Sequence, residues 1–124
     1  MTLLDTNAII WIYYKKLEMF PKKILSWIEK ENLFFSPIVK LELDYLCEVS
    51  KLEEDGQEIT SILKEEIGLE LVDENFSKII ECARKLKWTR DPFDRLLVAH
   101  VDLLNAFLIT KDQVILKNYK KAIW

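Results

Sequence analysis

Short mostly apolar runs recur along the chain with amphipathic stretches between them. Runs at 2–4 (TLL), 33–35 (LFF), 69–72 (LELV), 107–109 (FLI) and 122–124 (AIW) are too brief for helices and read as strands. The segments near 6–14, 21–31, 37–52, 56–67, 74–87, 92–104 and 112–118 carry the helical period. Strand, helix, strand in sequence predicts right-handed crossovers and a parallel α/β sheet covered on both faces. Sheets of that kind present their functional groups at the carboxyl ends of the strands, where strand order reverses. With 124 residues, no internal repeat and no linker-like stretch, residues 1–124 are expected to form a single domain.

Acidic residues interrupt this pattern in four places. Asp5 ends the first strand, inside "LLDTNAIIWI", and is followed by Thr6 and Asn7. Asp112 follows the fourth strand and Thr110, in "FLITKD". In "SPIVKLELDYLCEVSKL", Ile38, Leu41, Tyr45, Val49 and Leu52 form one apolar stripe, and Glu42 lies inside it, about 40° round from Ile38. A buried Glu requires a cation, a donor or a cleft. In "TRDPFDRLLVAHVDLL", Asp91, Pro92 and Asp94 make a regular helix start, with N-cap, Pro at N1 and acid at N3. That helix is apolar over most of its surface, which places its start, and Asp94, at the strand ends. Asp102 reads as solvent-facing and His100 as a packed core histidine.

Each acid has an ordinary structural reading as a cap, a turn residue or an edge residue. The joint pattern is less ordinary, because two acids leave strand ends and two sit on helices expected at the same rim. Clustered carboxylates repel unless protonated or bound to cations. An all-oxygen set suits a hard ion such as Mg²⁺ or Mn²⁺, and such ions serve in-line phosphoryl chemistry.

Composition narrows the choices. Half the residues are hydrophobic, with two Gly and three Pro, which suits a packed core. No apolar run approaches a membrane span, and no secretory leader is recognisable, so a cytoplasmic protein without a membrane partner is expected. Cys47 and Cys82 are far apart and read as buried free thiols. The single histidine makes a His-based zinc site improbable. A net charge of −3 argues against bulk affinity for nucleic acid, yet discounting four cation-bound acids turns it into +1.

The motifs "LLDTNAIIWI", "SPIVKLELDYL", "RDPFDRLLVAH" and "LITKD", in that order over nearly the whole chain, resemble the PIN-domain nucleases. Within that group the chain is most similar to the VapC-type toxins of bacterial and archaeal toxin–antitoxin pairs. The resemblance implies a three-layer α/β/α fold with a five-stranded parallel sheet in order 3-2-1-4-5. It implies a Mg²⁺- or Mn²⁺-dependent endoribonuclease acting on structured RNA, pairing as a homodimer and restrained by a cognate antitoxin protein. By position, Asp5, Glu42, Asp94 and Asp112 match the family's metal-holding catalytic acids. Thr6, Asn7 and Thr110 match its accessory polar positions; Arg95 is a candidate for substrate positioning and Asp91 a supporting acid. Asn7 stands where many relatives carry serine or histidine, and His100 where a small or amide residue is usual.

For the homodimer, the apolar residues Ile10, Tyr13, Tyr14, Met19 and Phe20 of the first helices are the expected contact surface. An antitoxin segment is expected near Trp11, Tyr14 and Trp27, with an arginine reaching the carboxylates. Two other uses of a PIN-like fold are a non-catalytic binding module and a housekeeping nuclease without an antitoxin. An aspartate-phosphorylating fold also opens with a strand and an Asp. The haloacid-dehalogenase kind, however, needs a second acid where Asn7 stands.

Overall fold

The computed structural model describes residues 1–124. Strand β1 (Thr2–Leu4) runs directly into α1 (Thr6–Tyr13), then a 3-10 turn at Leu17–Met19 and α2 (Lys22–Lys30). Strand β2 (Leu33–Phe35) leads into α3 (Pro37–Glu48) and α4 (Gly56–Ile67). After β3 (Glu70–Leu71) come α5 (Phe76–Lys85) and α6 (Pro92–Leu103), then β4 (Phe107–Ile109), α7 (Gln113–Asn118) and β5 (Ala122–Ile123). All four strand pairings are parallel, in the order β3-β2-β1-β4-β5 that the resemblance implied.

Local chemistry explains where the helices begin. Ser36 caps α3, with Pro37 at its first position, and Asp91 caps α6, with Pro92 in the same role. Asp55 caps α4, and Gly68 closes that helix in the left-handed conformation at φ 71. Gly56 is required by a close approach: an added Cβ would lie 2.4 Å from the Lys40 carbonyl oxygen. The Gly56 N–H instead donates to Asp44 Oδ1 at 2.7 Å, tying α4 to α3.

The core forms where the helices close over the central strands. Leu3, Leu4, Leu108 and Ile109 from the sheet are fully buried against Ala8 and Ile9 of α1, Leu43 of α3 and Val98 and Val101 of α6. No helix is long and apolar enough to cross a membrane.

Three expectations need correction. Helix α3 buries Val39 and Leu43, while Leu41, Tyr45 and Val49 of the expected core stripe are exposed. Apolar residues surround most of this helix, so periodicity alone offers two candidate faces. The helix also stops at Glu48 rather than continuing to 52, because Ser50 turns to φ 62 and sends Leu52 back onto the core. Both cysteines are free but half-buried, not fully enclosed. His100 is a packed core residue as expected, 1% exposed.

The two faces of α3 should differ in stability measurements. Leu43→Ala is expected to cost about 2–5 kcal/mol in urea unfolding. Leu41→Ala should cost well under about 1 kcal/mol, since it uncovers little. Equal costs would contradict the orientation of α3.

Candidate active site

Strands β1 and β4 are neighbours, with Leu4 level with Ile109. The chain leaves both strands on the same rim. The Asp5 N–H donates to the Ile109 carbonyl at 3.1 Å, which fixes Asp5 at the end of the β1–β4 ladder. Its side chain turns into α1, where Oδ1 accepts from the Ala8 N–H at 2.8 Å. Asp112 does the same for α7, accepting from the Ile115 N–H at 2.9 Å. The capping reading is therefore correct for both, and it is also what aims them. Each carboxylate has one oxygen engaged by its cap.

Asp5, Glu42, Asp94 and Asp112 line one cavity of about 150 Å³, together with Thr6 and Asn7. They arrive from four separate elements: the start of α1, the middle of α3, the first turn of α6 and the start of α7. The remaining walls are Leu46, Leu97 and Ile115. No lysine or arginine lines this cavity. Those apolar walls are the part that sequence reasoning passed over. A signal was present: each lies three or four residues after an acid, on the same helical face.

The accessory residues sort themselves by contact. The Thr6 hydroxyl donates to Glu42 Oε1 and so orients that carboxylate. Thr110 is fully buried and accepts from the Asp112 N–H at 3.1 Å, holding the turn. Asn7 stands exposed at the mouth. Asp91 lies outside the cavity lining and caps α6, accepting from the Phe93 and Asp94 N–H groups at 2.9 and 3.3 Å.

Arg95 does not join this group. Its guanidinium donates to the Ala83 and Arg84 carbonyls at 2.8 and 3.3 Å. One step along α6 from Asp94 is a 100° rotation, which points Arg95 at the carboxyl end of α5.

Burial, with the acids' mutual repulsion added, raises the pKa values of Asp5, Glu42 and Asp94. Burial pushes Asp5 up to about 6, opposed by the Thr110 hydroxyl and the Ala8 N–H and reinforced by Glu42 and Asp112. Burial also lifts Asp94 to about 7, with Asp91, Asp112, Glu42 and Asp5 adding to it. Glu42 is raised by burial as well, against the Thr6 hydrogen bond. No three of the chain's acidic, histidine or cysteine side chains are drawn tightly enough to form a ready metal shell. The cavity is thus an apolar-walled cluster of carboxylates whose repulsion is uncompensated by any protein cation.

Residues 2–121 match the family described as the PIN domain. The chain belongs to the PIN domain family. Its fold is similar to that of a toxin–antitoxin complex from Klebsiella pneumoniae, at 17% identity and a TM-score of 0.66, covering 100% of this chain and 97% of the other. VapBC2 from Rickettsia felis, solved bound to a DNA fragment from its promoter, gives 21%, 0.65, 99% and 96% in the same order. VapBC-1 from nontypeable Haemophilus influenzae gives 23%, 0.63, 97% and 90%. No match is found among curated proteins.

The raised acids make this PIN domain's stability depend on pH in a defined direction. A carboxyl that binds its proton more tightly folded than unfolded stabilises the fold at low pH. That contribution disappears as pH rises from about 4 through the folded values of about 6 and about 7. Without divalent ions, thermal unfolding should therefore occur at lower temperature at pH 8 than at pH 5. Asp5→Asn keeps the cap and removes the charge, and should recover on the order of 3 kcal/mol at pH 8. A variant no more stable than the parent at that pH would refute the burial of charge at Asp5.

Proposed function

We propose that this PIN domain is a Mg²⁺- or Mn²⁺-dependent endoribonuclease and the toxin of a toxin–antitoxin pair. The observation that carries the reading is the convergence of four carboxylates, from four elements, on one cavity without a basic residue in its lining. The donor set fits a hard divalent ion. It is all oxygen, its acids are destabilised by burial and by one another, and only a cation would relieve them.

Asp5, Glu42, Asp94 and Asp112 would hold the ion or ions. A divalent ion there supplies a lowered water pKa and charge neutralisation on a phosphate. The chain's own groups do the rest. Thr6 fixes the Glu42 carboxylate through its hydroxyl. Asn7, at the mouth, offers an amide N–H to a phosphate oxygen, and Leu46, Leu97 and Ile115 keep the surroundings dry. Thr110 holds the turn that carries Asp112. Attack by water on the phosphorus leaves 5′-phosphate and 3′-hydroxyl ends and forms no covalent enzyme intermediate.

The partner reading is supported by likeness to toxin–antitoxin and VapBC assemblies. Its docking place needs revision from the sequence expectation. The Trp27 indole donates to Thr2 Oγ1 at 3.0 Å and packs on Phe107, at the opposite end of β1 from Asp5. Beside the end of α1 lies a larger open cavity of about 480 Å³, bordered by Ile10, Tyr14, Lys16 and Leu52. That surface suits an apolar anchor of the antitoxin. Self-association through the first helices would use Tyr14, Leu17 and Met19, because Phe20 is buried against Trp11 and Trp124.

Incubation with total cellular RNA tests the reading. Cleavage should require Mg²⁺ or Mn²⁺, stop with EDTA and fall at least about 100-fold in Asp94→Asn. Ends bearing 2′,3′-cyclic phosphate, or cleavage that survives EDTA, would defeat it. Binding by a co-transcribed small protein should suppress the same activity, and toxicity on expression alone should disappear in Asp94→Asn.

A further inference from the structure

Three of the chain's eighteen lysines and arginines stand in ion pairs: Lys15, Lys64 and Arg84. Lys111 is not among them, although it directly precedes Asp112 in the sequence. An unpaired ammonium beside four crowded carboxylates would be drawn into their cavity. It is not there: the lining holds Asp112 and Asn7 but no lysine. The Lys111 ammonium lies instead over the Trp11 ring, 5.6 Å from its centroid.

The ring's place is fixed by its own packing. Trp11 is four residues after Asn7 on α1, so both face the same way, about 6 Å apart along the helix axis. Asn7 lines the carboxylate cavity, and Trp11 therefore stands one turn beyond it. Phe20 and Trp124 pack against the ring, with centroids 5.8 and 5.6 Å away. Trp124 directly follows β5, at the carboxyl ends of the parallel strands, the rim that carries Asp5 and Asp112. The turn that bears Lys111 is equally fixed. Thr110 before it is fully buried, and the Asp112 N–H after it donates to Thr110 Oγ1 at 3.1 Å. Lys111 itself is exposed.

The result is a cation stationed beside the acids and withheld from them. Acids left free take divalent ions, and those ions take one phosphate. A nucleic-acid strand then brings its next phosphate to the rim, where acids without a cation would repel it. Resting on the ribonuclease reading above, we propose that Lys111 binds the RNA phosphate next to the scissile one, with Trp11 holding its ammonium ready at the rim. The hold is weak enough to yield. A cation–π contact at an exposed site is a small attraction, whereas an ammonium–phosphate contact is a charge-assisted hydrogen bond. Lys111 thus sets how the strand lies across the acids, and the acids keep the chemistry.

Lys111→Ala and Lys111→Arg should be compared with the parent and with Lys30→Ala. Lys30 is exposed at the end of α2, which leads to the amino end of β2, so its loss removes the same charge from the opposite rim. On a single-stranded RNA oligonucleotide in Mg²⁺, Lys111→Ala should raise KM roughly tenfold at low salt and change kcat by less than about twofold. Lys111→Arg should restore KM, and Lys30→Ala should leave both constants near the parent's. Binding of the same RNA is measured by fluorescence anisotropy in the Asp94→Asn background, which slows cleavage. There Lys111→Ala should reduce the slope of log affinity against log salt by about 0.7, the loss of one phosphate contact to a single strand.

If the parent cleaves RNA and Lys111→Ala changes neither KM nor the salt slope, the phosphate contact is overturned and the nuclease reading stands. A slope that depends on Lys111, with no cleavage by the parent, supports the contact and counts against the nuclease. A loss that Lys111→Arg does not restore, or that Lys30→Ala reproduces, belongs to the fold or to net charge and overturns the proposal. A parent that neither binds nor cleaves RNA overturns both.

Discussion

The structure is organised around keeping carboxylates together in a place that resists them. Asp5 is buried at the end of the central strand, and its neighbours across the cavity are three more acids. The cavity's apolar wall is Leu46, Leu97 and Ile115, side chains that occupy the turn following Glu42, Asp94 and Asp112. The proton affinities of Asp5 and Asp94 register the resulting strain. What holds the arrangement is the rest of the fold: a β1–β4 ladder that fixes two of the chain exits, and α3 and α6 packed closely enough to bring in the other two.

Much of this was legible in the sequence. Strands of two or three residues separated by helices leave few arrangements, and Asp5 and Asp112 each follow a strand closely enough to mark the rim. Glu42 and Asp94 stood out because each interrupts an otherwise apolar helix. All four line one cavity, as the pattern of exits suggested. The facing of α3 was less legible. Ile38, Val39, Leu41, Leu43, Tyr45 and Leu46 spread apolar character round the helix, and only its neighbours decide that Val39 and Leu43 go inward. Arg95 misled for a related reason. Adjacency in sequence to Asp94 places it a quarter-turn away, on α5, and that follows from helix geometry rather than from residue type.

Helices α3 and α6 border the carboxylate cavity and, through Ile38, Leu41, Leu96 and His100, a second cavity of about 220 Å³. On one flank are acids whose donors are the Thr6 and Thr110 hydroxyls and backbone caps. On the other, the buried His100 imidazole meets Ser36 Oγ through Nδ1 at 2.7 Å and has no hydrogen-bond partner at Nε2. The Tyr45 and Phe93 rings, stacked at 5.9 Å, join the helices along the same seam. A shift of α3 against α6 would alter both flanks together.

The double duty of the caps ties the site to the fold at two of the four acids and not at the other two. Asp5 and Asp112 each hold a helix start, so most replacements there fray a helix as well as emptying the site. Asp94 and Glu42 hold no helix start. Substitution at Asp94 or Glu42 should therefore empty the site and leave the fold whole, whereas most substitutions at Asp5 or Asp112 should loosen a helix as well. The two halves of one acidic cluster would thus answer differently to the same kind of change.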